Sequence, residues 1–161
     1  MYTHRLATYS DIDFLYDLYF HPDVNPWLLY DPMSKEDFEP VIKELIDQKV
    51  KYIFEKDNVI VGMFKLVPYR FRAAHAVYLG GLAIHPDFVG MGLGKAILHA
   101  ILEIAKSKDW NRIELAVSVR NHKAIALYTK MGFEREGQLR NIVKFAADNS
   151  YMDEYLYAIL L

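Results

Sequence analysis

The sequence predicts an α/β protein built on a mixed, mainly antiparallel sheet. Three observations predict it. Short strand-like runs pair around tight turns early in the chain, and later strands alternate with helix-like runs whose apolar residues recur every three or four positions. Between them, a strand runs directly into the glycine-rich stretch His85–Leu98. Hairpins followed by strand and helix alternation are typical of a mixed sheet with a strand–helix–strand unit at its centre.

The first elements are a strand and a helix. Tyr2 to Ala7 reads as a short strand, and Ser10 is the expected cap of a helix from Asp11 to Phe20. Residues 21–34 contain three prolines, which interrupt regular structure and predict a long loop.

A second helix and a hairpin follow this loop. Ser34 is the expected cap of the helix, and its apolar residues have the spacing of one buried face: Phe38, Val41, Ile42, Leu45 and Ile46. Two strands then surround Asp57 and Asn58, a pair of residues that tolerates the positive φ of a tight hairpin turn.

The second half alternates strands and helices. The predicted order is a strand from Ala76 to Ile84, a helix beginning near Gly92, the strand "RIELAV", a helix from Asn121 to Met131 stopped by Gly132, and two final strands. The apolar last strand fits either a sheet edge open to a second copy or a covered core strand.

Composition limits the class of protein. The 161 residues are 53% hydrophobic, which predicts a single domain spanning 1–161. A net charge of -2 disfavours nucleic acid and anionic membranes as partners. With no cysteine, a thiolate metal site and a thioester-linked enzyme intermediate are excluded, and the six histidines show no metal-ligand spacing. The N-terminus lacks a leader pattern and no long apolar run is present, so a cytoplasmic location is expected.

The three alternate glycines Gly90, Gly92 and Gly94 fit no nucleotide motif. A dinucleotide fingerprint requires glycine where Lys95 stands, and a P-loop requires glycine at Val89 and a hydroxyl residue at Ala96. Bare backbone amides between a strand and a helix still form an anion site, which suits a pyrophosphate. The alternative is that the glycines only permit a tight turn and close packing, and spacing alone leaves both readings open.

Two motifs together resemble the GNAT superfamily of N-acetyltransferases. The family's acetyl-CoA loop has the pattern Q/R-x-x-G-x-G/A, and here Val89–Gly94 occupies that place between strand and helix. The second signature, "NHKAIALYTKMGFEREG", matches with Asn121, Ala124, Tyr128 and the Gly132–Phe133 pair in register. The resemblance extends over nearly the whole chain and implies helices on both faces of the sheet.

The resemblance implies acetyl-CoA as acyl donor and assigns its contacts. The expected pyrophosphate contacts are Val89, Gly90, Met91, Gly92, Leu93, Gly94 and Lys95. Main-chain groups of Leu82, Ala83 and Ile84 are expected along the pantetheine arm, where Gly80 and Gly81 predict a bulge. Asn121 is expected both to cap its helix and to contact the pantetheine. Val89 departs from the usual Gln or Arg, so only backbone donors remain at that position.

Tyr128 matches the family's general acid. It also lies on one helical face with Ala124, Leu127 and Met131, so a plain core aromatic is the alternative. Without a cysteine nucleophile, direct attack of an amine in a ternary complex is the expected route. The general base stays unassigned because Gly80 occupies the place where related polyamine enzymes carry glutamate; His75, Tyr78 and Glu114 are nearby in sequence or on the adjoining strand.

The acceptor is expected to be a primary amine of a small molecule, amino acid, polyamine or peptide. Trp27, Tyr30 and Asp31 in the long loop combine aromatic surface with a carboxylate, and Tyr78 is a further candidate contact. Anchoring of the loop to the core explains the same aromatics equally well. A second hypothesis is an acyl-CoA-binding sensor with weak or no turnover. The resemblance also makes a homodimer one expected assembly, and no metal is expected.

Overall fold

The computed structural model describes residues 1–161 and divides into two compact units. The first unit comprises Met1–Leu66 with Gly81–Ala100, and the second comprises Val67–Gly80 with Ile101–Leu161. The chain forms four helices, α1 (Ile12–Tyr19), α2 (Lys35–Asp47), α3 (Leu93–Ser107) and α4 (His122–Lys130). Its strands are β1 (Tyr2–Leu6), β2 (Lys51–Lys56), β3 (Val59–Pro68), β4 (Ala76–Ile84), β5 (Arg112–Ser118), β6 (Glu134–Lys144) and β7 (Tyr151–Leu160).

The strands form a seven-stranded, mostly antiparallel sheet in the order β1-β2-β3-β4-β5-β7-β6. The one parallel pair is β4 with β5, whose register places Ala76 opposite Arg112 and Tyr78 opposite Glu114. Helix α3 connects these two strands. The predicted mixed sheet with a central strand–helix–strand unit is therefore confirmed. None of the helices has the length and apolar character needed to cross a bilayer.

The first unit contains an antiparallel meander of β1, β2 and β3. Tyr2 pairs with Lys56, and Lys56 pairs with Val59 across the turn. Asp57 and Asn58 have φ values of 51° and 66°, the left-handed region that such a turn requires. The predicted hairpin is confirmed.

Helices α1 and α2 contribute a fully buried cluster to the first unit. Leu15, Leu18, Phe38 and Ile42 have no exposed surface. Ser34 caps α2 as predicted, because its Oγ accepts a hydrogen bond from the Asp37 backbone N–H at 3.1 Å. Of the five predicted apolar positions of α2, Phe38, Ile42 and Ile46 are buried and Val41 and Leu45 are half-buried.

The predicted cap of the first helix is wrong. Thr8, not Ser10, begins the helical segment, which opens with a short 3-10 turn over Tyr9–Asp11 before α1. The Asp11 carboxylate accepts from the Thr8 backbone N–H at 2.8 Å and forms a bidentate pair with Arg5 at 2.8 Å for each bond. Because Asp11 is paired with Arg5 of β1, it is buried, and the helical segment begins earlier than predicted, at Thr8.

The second unit ends in the hairpin of β6 and β7. Strand β7 lies between β5 and β6, with Glu114 opposite Ala158 on one side and Glu134 opposite Ala158 on the other. The last strand is thus interior, so of the two alternatives that the sequence left open the covered strand is the one observed. The outer strand is β6, which is exposed along nearly all of its length.

Candidate functional site

The glycine loop follows β4 and leads into α3. A single 3-10 turn over Pro86–Phe88 leaves the strand, and His85 caps it by accepting from the Asp87 backbone N–H at 3.3 Å through Nδ1. Gly90 and Gly92 then adopt φ values of +88° and +75°, and α3 begins at Leu93. Both glycines therefore occupy the backbone region that side chains rarely adopt.

Close packing does not explain Gly90 and Gly92. A Cβ built at either position meets no heavy atom within 4 Å, whereas one built at Gly62 lies 2.7 Å from the Ala83 carbonyl oxygen. Val89 and Met91 are also exposed, at 64% and 50%. The alternative interpretation is that the glycines only permit a tight turn and close packing. Gly90 and Gly92 do form a tight turn, but they are not closely packed, because the space above their backbone is open.

This open backbone fits an anion. Alternating left-handed residues turn successive amides toward one side, and the N-terminus of a 15-residue helix adds its dipole. Lys95 is exposed in the first turn of α3 and can add a positive charge. The segment Val89–Lys95 therefore has the donors that a pyrophosphate requires.

The sequence predicts a bulge at Gly80 and Gly81, and the backbone of β4 is left-handed at the second of them. Gly81 has a φ of +54°, and a Cβ built there would lie 2.8 Å from the Tyr19 hydroxyl oxygen. Beyond it, Ala83 is buried while Leu82 and Ile84 are half-buried. The His85 backbone N–H donates to the Val61 carbonyl at 2.8 Å, which continues the bonding of this strand with β3.

Lys51, a buried lysine that sequence reasoning missed, lies next to Gly81. Lys51 has no exposed surface; its Nζ is 2.9 Å from the Tyr19 hydroxyl and 4.6 Å from the Tyr19 ring centroid. Burial lowers the pKa of Lys51 well below its usual value, and the nearby charge of Lys65 lowers it further. No pattern in "KYIFEK" distinguishes this lysine from a solvated one.

Helix α4 and its cap position two residues of the second signature, Asn121 and Tyr128. Asn121 caps the helix by accepting from the Ala124 backbone N–H at 3.2 Å, as predicted. Tyr128 is 8% exposed, and its ring packs against Phe133 with centroids 5.7 Å apart. Burial raises the pKa of Tyr128, and electrostatic interaction with Tyr78 raises it further. Its phenol therefore stays protonated at neutral pH and acts as a donor.

The three possible bases differ in their surroundings. Glu114 accepts from Arg112 Nη2 at 3.0 Å and from the Tyr69 hydroxyl, so its carboxylate is engaged in a structural network. Tyr78 is half-buried, and its phenol forms a hydrogen bond with the backbone of Ala116. Exposed His75 contributes its carbonyl to a bond from the Asn111 backbone N–H at 2.8 Å.

Glu154 is a further ionisable residue that sequence reasoning missed. It lies on β7 opposite Ser118 and is half-buried, and loss of water raises its pKa. It also interacts electrostatically with Tyr78. The segment "YMDEYL" carries two adjacent acids, and only the sheet register indicates which one faces Tyr78.

The long loop of the first unit is tied to the core. Tyr30 packs against Tyr19, with centroids 5.4 Å apart, and Asn25 Nδ2 donates to the carbonyls of both tyrosines at 3.0 and 2.8 Å. Trp27 is 45% exposed, and Asp31 directly follows Tyr30. Tyr30 thus anchors the loop, while Trp27 offers open aromatic surface.

Comparison with known proteins agrees with this arrangement. The model of the acetyltransferase (GNAT) family matches residues 12–133. A Bacillus subtilis protein named as a candidate [ribosomal protein bS18]-alanine N-acetyltransferase is 28% identical over 134 residues, which is 82% of this chain and 80% of that protein.

Two solved structures have the same fold. Spermidine N-acetyltransferase from Vibrio cholerae, in complex with CoA and spermine, superposes with a TM-score of 0.86 at 21% identity, covering 99% of this chain and 95% of that one. Ribosomal-protein-alanine N-acetyltransferase from Brucella melitensis gives a TM-score of 0.81 at 20% identity, with 99% of each chain covered.

Proposed function

Since this chain belongs to the acetyltransferase (GNAT) family, we propose that it transfers an acetyl group from acetyl-CoA to a primary amine. The observation that carries the proposal is the open backbone at Gly90 and Gly92, where positive φ values coincide with empty space at the start of α3. When bound, acetyl-CoA supplies the activated acyl group. We further propose that residues 1–161 act as one N-acetyltransferase domain, which is supported by a family match that includes parts of both units.

The proposed donor contacts follow from the loop and the strand before it. Backbone amides of Val89–Lys95 hold the pyrophosphate, and main-chain groups of Leu82–Ile84 pair with the pantetheine arm as an added strand would. Asn121 contacts the same arm while capping α4. Exposed Val89 contributes only its amide, so the grip on the phosphates depends on the glycine backbone.

Tyr128 is proposed to protonate the departing thiolate. Since a phenol of pKa 10 is already a weaker acid than a thiol of 8.5, full transfer before bond cleavage would run uphill by about 2 kcal/mol, and burial of Tyr128 raises its pKa further. Tyr128 therefore hydrogen-bonds the sulfur and delivers its proton late. The chain has no cysteine, so the amine attacks directly in a ternary complex.

The acceptor is proposed to be a primary amine held with help from Trp27, Tyr30, Asp31 and Tyr78. The relatives named above include enzymes for a ribosomal-protein alanine and for spermidine, and both substrates are amines. Exposed aromatic surface at Trp27 supports contact with a cationic amine.

The test is thiol release from acetyl-CoA across polyamines, amino acids, small amines and alanine-terminated peptides, together with calorimetry of CoA binding. The proposal expects CoA binding and amine-dependent release that follows sequential kinetics. Binding without release for any amine would instead identify a sensor, and a lack of CoA binding would overturn both functions. Ping-pong kinetics would contradict direct attack.

A further inference from the structure

One face of the sheet in the second unit holds Tyr78 together with several side chains that the proposed function does not yet use. Tyr78 lies opposite Glu114, and Ser118 lies opposite Glu154. Alternate residues of a strand point to the same face, so Glu114, Ala116 and Ser118 of β5 share that face. Tyr78 of β4 and Glu154 of β7 therefore flank β5 from its two sides, Tyr78 at Glu114 and Glu154 at Ser118.

Glu154 is a half-buried carboxylate on this face with no cation paired to it, whereas Glu134, opposite Ala158 on the same face, is exposed. Glu114, on the same face, is paired with Arg112. Across the sheet on β6, Glu154 faces the neutral side chain of Leu139. Ser118 donates to the Met152 sulfur at 2.7 Å. A half-buried carboxylate in these surroundings is ready to receive a cation.

Tyr78 connects this carboxylate with Tyr128. It interacts electrostatically with Glu154, and Tyr128 in turn interacts with Tyr78. The titratable group that interacts with Glu154 is Tyr78 from β4; Glu114 and its partner Arg112 lie further along the same face of β5, and α4 contributes Tyr128 through Tyr78. Direct aminolysis requires a proton donor and a proton acceptor, and Tyr128 and Glu154 are the two groups linked through Tyr78.

We propose that Glu154 is the general base of the reaction: its carboxylate binds the ammonium group of the acceptor and removes one proton. This inference rests on the proposed function. Glu114, the carboxylate of β5 on this face, is occupied by Arg112 and Tyr69. Burial also raises the pKa of Glu154, which brings a carboxylate closer to the range useful for a base at neutral pH.

The protons balance as follows. Glu154 takes one of the three ammonium protons and later releases it to water. The neutral nitrogen forms the new C–N bond while the C–S bond breaks. The thiolate gains a proton from Tyr128, and the second proton, which leaves the nitrogen, restores the Tyr128 phenol. The third proton stays on the amide product.

The test compares Glu154→Gln with Glu114→Gln, a matched carboxamide change on the same face of the sheet. For Glu154→Gln we expect kcat to fall by about 100-fold or more and the acidic limb of the kcat/KM profile to disappear, while the Kd of CoA stays within about twofold. Glu114→Gln keeps both the rate and the limb. Glu154→Asp, which keeps a carboxylate, restores the limb at a reduced kcat.

A second measurement needs no turnover. Carbon-detected NMR of the ligand-free protein labelled at glutamate side chains should show one carboxyl, absent in Glu154→Gln, that titrates above the ordinary glutamate value of about 4.3. An ordinary value, or a Glu154→Gln enzyme that keeps its rate and acidic limb, would overturn the assignment. A wild-type protein that releases no thiol with any amine would overturn the proposed function instead, a result distinct from either of these.

Discussion

At the scale of single residues, the phenol of Tyr128 combines burial with a proposed chemical role. A buried aromatic against Phe133 is what the core reading predicts, and the same burial keeps the hydroxyl protonated by raising its pKa. We expect Tyr128→Phe to lower kcat by about 100-fold, because general acid catalysis typically contributes that much. Assays of thiol release measure kcat, and calorimetry separately measures the affinity for CoA.

The matched control for this change is Tyr157→Phe, which also removes a hydroxyl from a buried tyrosine of the second unit. It should leave kcat unaltered. If Tyr128→Phe turns over as fast as the wild type while folding normally, Tyr128 is a packing residue only.

Lys51 gives a second prediction at this scale, one on stability. Burial holds the pKa of Lys51 well below 10.5, so between the folded and unfolded pKa values the unfolded chain binds more protons. The free energy of unfolding therefore rises as the pH rises toward about 10.5. Lys51→Met should remove this part of the rise.

Urea titrations at pH 7 and pH 10 measure this rise in the free energy of unfolding. Lys123→Met, on the exposed face of α4, is the control. The control should follow the wild type at both pH values. Parallel pH dependence of Lys51→Met and wild type would mean that Lys51 is charged in the folded protein.

At the scale of elements, Gly81 determines the left-handed backbone position within β4. Its φ of +54° disfavours any side chain, and a Cβ would lie only 2.8 Å from the Tyr19 hydroxyl oxygen and 3.4 Å from Lys51 Nζ. We expect Gly81→Ala to reduce the free energy of unfolding by about 2 kcal/mol, since the left-handed conformation alone costs roughly 1–2 kcal/mol. Urea denaturation measures the difference.

Gly137→Ala is the companion variant, because a Cβ at this position in β6 meets nothing within 4 Å and no positive φ is required. Its effect should range from neutral to a stabilisation of up to about 1 kcal/mol. Equal destabilisation by the two variants would show that the left-handed backbone of β4 does not require glycine at position 81.

Local signals of this kind explain which elements the sequence predicts well. The bounds of β4, the Asp57–Asn58 turn and the caps Ser34 and Asn121 depend on neighbouring residues, and each is as expected. The cap of the first helix was mispredicted because Arg5 pairs with Asp11 from another element. The interior position of β7 likewise follows from pairing with β5 and β6.

At the scale of the whole molecule, family signatures identify the reaction class but not every residue of the site. Gly90, Gly92, Asn121 and Tyr128 belong to motifs with fixed spacing, so the sequence alone is enough to propose them as site residues. Lys51 and Glu154 acquire their properties from burial and from strands distant in sequence, and no local pattern marks them. The residues that contact the acceptor are equally hard to identify from the sequence, because aromatic residues in a loop can either anchor the loop or bind a ligand.

The net charge of -2 provides no general attraction for anionic CoA, so affinity must arise locally at the glycine loop. A ligand that binds only the folded chain at 100 times its Kd adds about 2.7 kcal/mol to the free energy of unfolding. For a chain of this size, that raises Tm by about 5–10 °C. Thermal denaturation with CoA should show this rise.

Pantetheine at the same concentration should give only about 1–2 °C, because it lacks the pyrophosphate that the amides are proposed to bind. Equal shifts from the two ligands would place the binding energy in the pantetheine arm and leave the glycine loop as a turn.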